Sequence, residues 1–311
     1  MRTGFFGTPQ IAAYCLDEIL KEYTVSCVVT SPDKPAGRGR KLTPSPVKDL
    51  SLKYDIPVLQ PQSLKDPSLH EQMKEFECDL FIVVAYGKII PRLLFDMPRY
   101  GTINLHPSLL PLYRGAAPIQ WAIINGEKQT GITVQRINEE LDAGEILLQN
   151  SIDIPIDMTA GELYDLVLPK GAAMLLKTIA GLQDNTITPE PQDHSRATYC
   201  GKIDTETAGI DWNNTSMEIH NLVRGLNPRP VAWTIFRDKK IKIWRTMPVE
   251  DTLPEGSTPG SIHKFPGKRL IAQTGSGSLE IFQLQPETKK SMDSRSFLNG
   301  YHPEKGEAFS S

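Results

Sequence analysis

Three polar residues near the middle of the chain have the types that carbonyl chemistry needs. Asn104 and His106 stand two apart in Ile103-Asn104-Leu105-His106, and Asp142 follows in Glu140-Leu141-Asp142-Ala143-Gly144-Glu145. If the first run is a strand, residues two apart share a face, which sets a carboxamide beside an imidazole. Asp142 would come from a loop flanked by glycine, where backbone can approach a ligand closely. Asn, His and Asp together can polarise a carbonyl, orient a catalytic ring and accept a proton. Taken singly, a strand-end Asn often caps a turn and a lone His is usually a satisfied core or surface residue. It is the combination that points to chemistry. No Ser or Cys nucleophile stands in the usual surroundings, so the pattern favours direct transfer of a carbonyl group without a covalent enzyme intermediate.

Such residues need a rigid frame, and the N-terminal pattern supplies one. Short apolar strands are expected at 3–7, 25–30, 79–84 and 102–106, then at 130–137 and 146–152. Helical patterns fall at 9–22 and 116–125, and a long one at 159–181 holds Pro169, expected to kink or divide it. Strands alternating with helices argue for a doubly wound α/β domain, Rossmann-like in form, with its ligands at the carboxyl ends of the strands. Tyr86-Gly87 and Asn104–His106 fall there.

Composition sets limits on the rest. At 311 residues, 39% hydrophobic and 23% charged, the chain has room for two globular domains. No apolar run approaches a membrane span, and Met1-Arg2 leads straight into a strand, so neither a membrane anchor nor a signal peptide is expected and the location reads as cytoplasmic. Cys15, Cys27, Cys78 and Cys200 are scattered, as reduced thiols would be and metal ligands would not. Gly4-Phe5-Phe6-Gly7-Thr8-Pro9 is no dinucleotide fingerprint and there is no Walker motif, so neither a nicotinamide nor a nucleoside triphosphate has support.

From Asp184 the chain turns polar and proline-containing, and 189–206 reads as a linker between a first domain at 1–188 and a second at 207–311. Beyond a helix at 217–226, short strands are expected at 231–237, 240–245, 260–262, 270–274 and 278–285, with a last helix near 293–299. Five short strands in so small a domain suggest a barrel of the oligonucleotide-binding type. Basic residues cluster in it at Arg237, Lys239, Lys240, Lys242 and Arg245, either a solvated strand face or a nucleic-acid contact. A second basic cluster, Lys34, Arg38, Arg40, Lys41 and Lys48, lies in a long structureless stretch over 33–48, and structureless loops of that length are more often functional.

Asn104-Leu105-His106-Pro107-Ser108-Leu109-Leu110-Pro111 with Leu141-Asp142-Ala143-Gly144 resembles the signature of the formyltetrahydrofolate-dependent transferases. Within that family, the basic stretch from Ser31 to Lys48, together with Asp211-Trp212 and Leu226-Asn227-Pro228-Arg229-Pro230-Val231-Ala232-Trp233, is similar to the methionyl-tRNA formyltransferases. Leu112 departs from a position usually basic in the family, and Arg229 from one commonly aromatic. The resemblance implies 10-formyltetrahydrofolate as formyl donor and initiator methionyl-tRNA as acceptor, with a monomeric enzyme. It implies Asn104 and His106 as donors to the formyl oxygen, with Asp142 orienting His106 and helping to remove the amine proton. It places the folate against Tyr86, Gly87, Lys88, Ile89 and Ile90, against Ser108, Leu109, Leu110 and Pro111, and against Leu141. It turns both basic clusters into tRNA contacts. A formyltransferase for a small acceptor, a formyl hydrolase, and an RNA-binding protein with an inactive transferase domain stand as alternatives.

Overall fold

The structure is a computed structural model that describes the chain except residues 37–40, 252, 305 and 311; the side chains of Ala36 and Lys41 are also outside the description. The chain falls into two compact units that interleave along the sequence. The first comprises Met1–Ala116, Thr130–Ile152 and Asp165–Cys200, and the second Ala117–Gln129, Asp153–Tyr164 and Gly201–Ser311.

A seven-stranded sheet forms the first unit. Its strands are β1 (Arg2–Gly7), β2 (Thr24–Val29), β3 (Val58–Leu59), β4 (Leu80–Val84), β5 (Thr102–His106), β6 (Gln129–Arg136) and β7 (Ile146–Asp153). They lie in the order β7-β6-β5-β4-β1-β2-β3. Ladders from β3 through β5 are parallel, and β6 runs antiparallel to β5. Every residue of β4 is buried, as expected for a parallel strand covered on both faces. The chain winds outward from β1 to β3 and then returns to β4 on the other side of β1, so the switch point lies between β1 and β4.

Three expectations change. The helix Ala160–Gln183 runs unbroken through Pro169. A proline removes one N–H and crowds the preceding turn, and here the apolar face of Leu163, Val167, Ala172, Leu175 and Ile179, all buried, keeps the helix whole. The stretch over 33–48 is not structureless: Lys34–Ala36 pairs with Lys41–Thr43, and Ser45 caps a helix over Pro46–Lys53 by accepting from the Lys48 N–H. Part of the stretch read as a linker is also packed. Tyr199–Cys200 pairs in parallel with Arg114–Gly115, and Gln192 is buried.

The second unit is an antiparallel sheet of β8 (Ala232–Phe236), β9 (Lys239–Val249), β10 (Ile262–Phe265), β11 (Arg269–Gln273) and β12 (Ser278–Pro286), with β13 (Met292–Asp293) added beside β12. The order β8-β9-β12-β11-β10 leaves β8 and β10 at its edges. The C-terminal segment joins them. Ile235 and Ser310 exchange two backbone hydrogen bonds, and the N–H groups of Phe309 and Ile262 donate to Gly260 and Glu307 carbonyls. The sheet is thereby closed, which removes its edges. Phe309 from that segment stacks on Trp212 in the core, beside Phe236 and Phe297. Trp212 is a core residue, whereas Trp233 and Trp244 are only half-buried.

Candidate active site

β5 delivers Asn104 and His106 to the carboxyl edge of the sheet, His106 buried and Asn104 half-buried. His106 Nε2 lies 2.9 Å from the Tyr113 carbonyl oxygen. A carbonyl only accepts, so Nε2 carries a proton and the Nδ1 edge is the one left facing the site. Nδ1 stands 3.7 Å from Asp142 Oδ2.

Asp142 comes from the loop between β6 and β7, as its glycine-flanked setting implies. The Arg136 N–H donates to the Glu145 carbonyl at 2.9 Å and closes that loop. Inside it, Asp142 takes a left-handed backbone with φ +49°. Its carboxylate is well supplied with donors. Oδ2 accepts from the Gly115 N–H at 2.9 Å, and Oδ1 accepts from Gln135 Nε2 at 3.1 Å and, more weakly, from Asn104 Nδ2 at 3.5 Å. Asn, His and Asp therefore meet at one point, where one amide hydrogen of Asn104 has no partner among the described residues and the Nδ1 edge of His106 faces Asp142.

The Ser108–Pro111 turn is pinned from below. Thr133 of β6 donates its hydroxyl to the Ser108 carbonyl at 2.7 Å and accepts from the Leu110 N–H at 3.2 Å. The Ser108 hydroxyl is used internally, on the Leu112 carbonyl at 2.6 Å, and Leu110 is buried. What this turn can offer a ligand is thus backbone and the half-buried Leu109 and Pro111. In the Tyr86–Ile90 segment, Gly87 has φ +78° with open space where a side chain would stand. Ile89 is 85% exposed and Leu141 57%, both high for large apolar side chains. Arg92, just past the first of these, pairs with Glu139, just before the second, at 3.2 Å. Tyr86 and Ile90 are instead core residues, with burial pushing the Tyr86 phenol up to about 12 and leaving its hydroxyl without a partner among the described residues. Lys88 Nζ donates to the carbonyls of Pro61 and Gln62 and so ties the Tyr86–Ile90 segment to a neighbouring loop.

Sequence reasoning missed the residues that hold Asp142: Gln135, Gln192, Arg114 and the Gly115 N–H. Gln135 carried a signal, since Thr133 and Gln135 are polar residues two apart in an apolar strand, and both are buried. Gly115 carried another: its φ is +118° and a Cβ would run into the Cys200 carbonyl oxygen. Gln192 had none, lying in polar sequence that reads as a connection.

The basic residues divide. Arg38 and Arg40, and the Lys41 side chain, lie outside the described residues. Lys34 is exposed, while Lys48 is committed to Asp33 at 2.7 Å and Gln60 at 2.8 Å, an ion pair that holds the Asp33 carboxyl below its ordinary value. In the second unit, Arg237 is bound by both carboxylate oxygens of Glu307 at 2.7 Å and serves the closing segment. Lys239, Lys240, Lys242 and Arg245 are exposed. The pairings Trp233 with Lys242 and Ile235 with Lys240 put these lysines on one outward face with Trp233, and Lys240 Nζ sits 3.8 Å from the Trp233 ring centre. Arg245 lies 5.8 Å over Phe282 on the next strand. Cations interleaved with half-exposed rings suit phosphates and unpaired bases alike.

Among the described residues no three His, Cys, Asp or Glu side chains gather as metal ligands, and no helix is long and apolar enough to cross a membrane.

Residues 1–179 match the formyl transferase family, and residues 202–302 match the formyl transferase C-terminal domain. A methionyl-tRNA formyltransferase from Acetivibrio thermocellus is 43% identical over 308 residues, 99% of each chain. One from Clostridium perfringens is 43% identical over 307 residues, covering 98% of this chain and 99% of its own. Among solved structures, an N-formyltransferase from Helicobacter canadensis, complexed with folinic acid and dTDP-3-aminofucose, superposes with a TM-score of 0.68 at 22% identity. The match covers 91% of this chain and 98% of that one. HypX from Aquifex aeolicus in complex with tetrahydrofolic acid gives 0.65 at 17% identity, covering all of this chain and 51% of its own. At such identities the likeness is one of fold.

Proposed function

The chain belongs to the methionyl-tRNA formyltransferases, and from that premise we propose how its residues carry out formyl transfer from 10-formyltetrahydrofolate to the methionine amine of initiator methionyl-tRNA. The observation that carries the proposal is the meeting of Asn104, His106 and Asp142 at one edge of the sheet. The folate co-substrate supplies an activated formyl carbon. The bond from the amine nitrogen to that carbon forms, the bond from the carbon to the folate nitrogen breaks, and one proton leaves the amine as another reaches the departing nitrogen.

Negative charge grows on the formyl oxygen. The free amide hydrogen of Asn104 and an Nδ1–H on His106 are the donors that meet it, in a site where fixed dipoles act more strongly than water would. With Nε2–H held by the Tyr113 carbonyl, an Nδ1–H requires the imidazolium form, and the Asp142 carboxylate balances that charge. Asp142 also takes up the amine proton, directly or through water. The residues fit the folate: a flat ring system needs apolar walls and open backbone, and Ile89, Leu141 and Gly87 offer these on one side, with Leu109 and Pro111 on the other. Tyr86, Lys88, Ile90, Ser108 and Leu110 build those walls from behind.

The exposed Lys239, Lys240, Lys242 and Arg245, with Trp233 and Phe282, form the tRNA-facing surface of the second unit. Lys34, Arg38, Arg40 and Lys41 contact the acceptor stem. We read the enzyme as a monomer, and a charged-tRNA substrate supports a location in the cytoplasm. Incubation with labelled 10-formyltetrahydrofolate and either methionyl-tRNA or free amino-sugar nucleotides tests the assignment. Label on the nucleotide acceptors, or formate released without any acceptor, would replace it.

A further inference from the structure

Two of the groups that hold the Asp142 carboxylate, Gln135 and the Arg114–Gly115 segment, converge on one residue with no role in the chemistry above. Gln192 is 5% exposed. Its amide oxygen meets only donors, Nη2 of Arg114 at 2.7 Å and Nε at 3.2 Å. Its amide nitrogen meets only acceptors: the Gly144 carbonyl at 2.7 Å, the Asp142 carbonyl at 2.9 Å and Gln135 Oε1 at 3.1 Å. Donors on one side and acceptors on the other fix which way round the amide lies.

The nitrogen thus grips the loop at Asp142 itself and two residues on. Asp142 has a left-handed backbone, which a non-glycine residue keeps only where its surroundings impose it. The grip extends to the side chain. Gln135, oriented by accepting from Gln192, donates to Asp142 Oδ1, and Arg114, fully buried against Gln192, is followed by Gly115, whose N–H donates to Oδ2.

We propose that Gln192 is a positioning residue for formyl transfer, holding the Asp142 backbone and, through Gln135 and the Arg114–Gly115 segment, both oxygens of its carboxylate. The proposal rests on the role given to Asp142 above. The competing view is that Gln192 merely satisfies a buried arginine. Gln192→Glu separates the two. A carboxylate still accepts from Arg114, so a satisfying role survives. It has no hydrogens for the Asp142 and Gly144 carbonyls and sets negative oxygen against them, so the loop is displaced.

The test measures initial rates of the full chain with 10-formyltetrahydrofolate and methionyl-tRNA for wild type, Gln192→Glu, Gln192→Leu, Asp142→Asn and the Asp142→Asn/Gln192→Glu pair. Displacement of a catalytic group by about an ångström costs up to about a hundredfold, so Gln192→Glu should lose roughly ten- to hundredfold in kcat. The KM for methionyl-tRNA should stay within about threefold, because its proposed contacts lie outside the displaced loop. The double variant should be no slower than Asp142→Asn alone, since Gln192 acts through a group already removed. Wild-type kcat in Gln192→Glu or Gln192→Leu while Asp142→Asn is inactive overturns the proposal, as do losses that multiply in the double variant. So does a variant whose melting shows partial unfolding but whose folded fraction turns over at the wild-type rate. A fast Asp142→Asn would instead remove the role given to Asp142, and is read separately.

Discussion

Gly115→Ala should damage stability and rate together, and the size of each follows from the geometry. At φ +118° an alanine is strained, at about 1–3 kcal/mol. Its methyl group would also overlap the Cys200 carbonyl oxygen, a backbone atom with no rotamer to escape into. Relief requires parting Arg114–Gly115 from Tyr199–Cys200, which weakens the hydrogen bonds from Arg114 N–H to the Thr198 carbonyl (2.8 Å) and from Ala116 N–H to the Cys200 carbonyl (3.1 Å). Each contributes about 0.5–1.5 kcal/mol, so the total is roughly 2–6 kcal/mol. At about 2–4 °C per kcal/mol this is a fall in melting temperature of roughly 4–24 °C. The same movement withdraws the N–H from Asp142 Oδ2, and kcat measured below the transition should drop about ten- to hundredfold. Gly101→Ala is the control, with φ +74° but nothing near the added methyl, so only the backbone strain of about 1–2 kcal/mol remains and kcat should hold. Scanning calorimetry and initial-rate assays of both variants decide it. If Gly115→Ala melts no lower than Gly101→Ala, or keeps wild-type kcat, this glycine is not required beside the Asp142 carboxylate.

The other predictions concern chemistry, pH and salt. His106→Ala should lower kcat by about a hundredfold or more, with charged-tRNA affinity measured by filter binding unchanged; a wild-type rate would remove His106 from the reaction. Burial and the nearby Arg224 lower the pKa of His220, which bonds to Thr246 and to the Ile156 carbonyl. A histidine lowered in the folded state contributes stability that is whole above its unfolded value, about 6.5, and declines as pH falls toward its folded value. Denaturant midpoints from pH 7.5 to 5 should therefore fall for wild type and fall less for His220→Gln; parallel slopes would refute the assignment. Replacing Lys240, Lys242 and Arg245 by Ala should raise the KM for methionyl-tRNA and flatten its dependence on salt, the log–log slope shrinking by just under one for each phosphate no longer bound, with folate KM unchanged. The same result is expected from Arg38, Arg40 and Lys41 replaced together; weakened folate binding with an unchanged salt slope would make that stretch a cover for the donor instead.

The sequence showed the proposed catalytic groups more clearly than the groups that hold them, and the reason is physical. Asn104 and His106 are adjacent on a strand face, so a period of two reveals them, and Asp142 is recognisable by its glycine-flanked setting. The frame was legible from another pattern: a short continuous apolar run such as Leu80–Val84 fits a strand covered on both faces, and the structure buries all of it. Gln192 escaped because a buried amide and an exposed one are the same letter. Its burial depends on partners in three other segments, Arg114, Gln135 and the Asp142–Gly144 loop, none near it in sequence. The closing segment at 307–310 escaped likewise, since its backbone bonds to Ile235 and Gly260 are made by atoms every residue carries. Arg237 was misjudged in the other direction. It sits in a basic cluster, but only the fold brings Glu307 against it, holding that carboxyl at about 2 and turning a candidate phosphate contact into an internal pair. Local pattern therefore marks what a residue can do, and long-range pairing decides whether it is free to do it. Lys242 of β9 stays available because strand alternation turns it away from the core and its ladder partners, Trp233 on β8 and Gln285 on β12, carry no carboxylate.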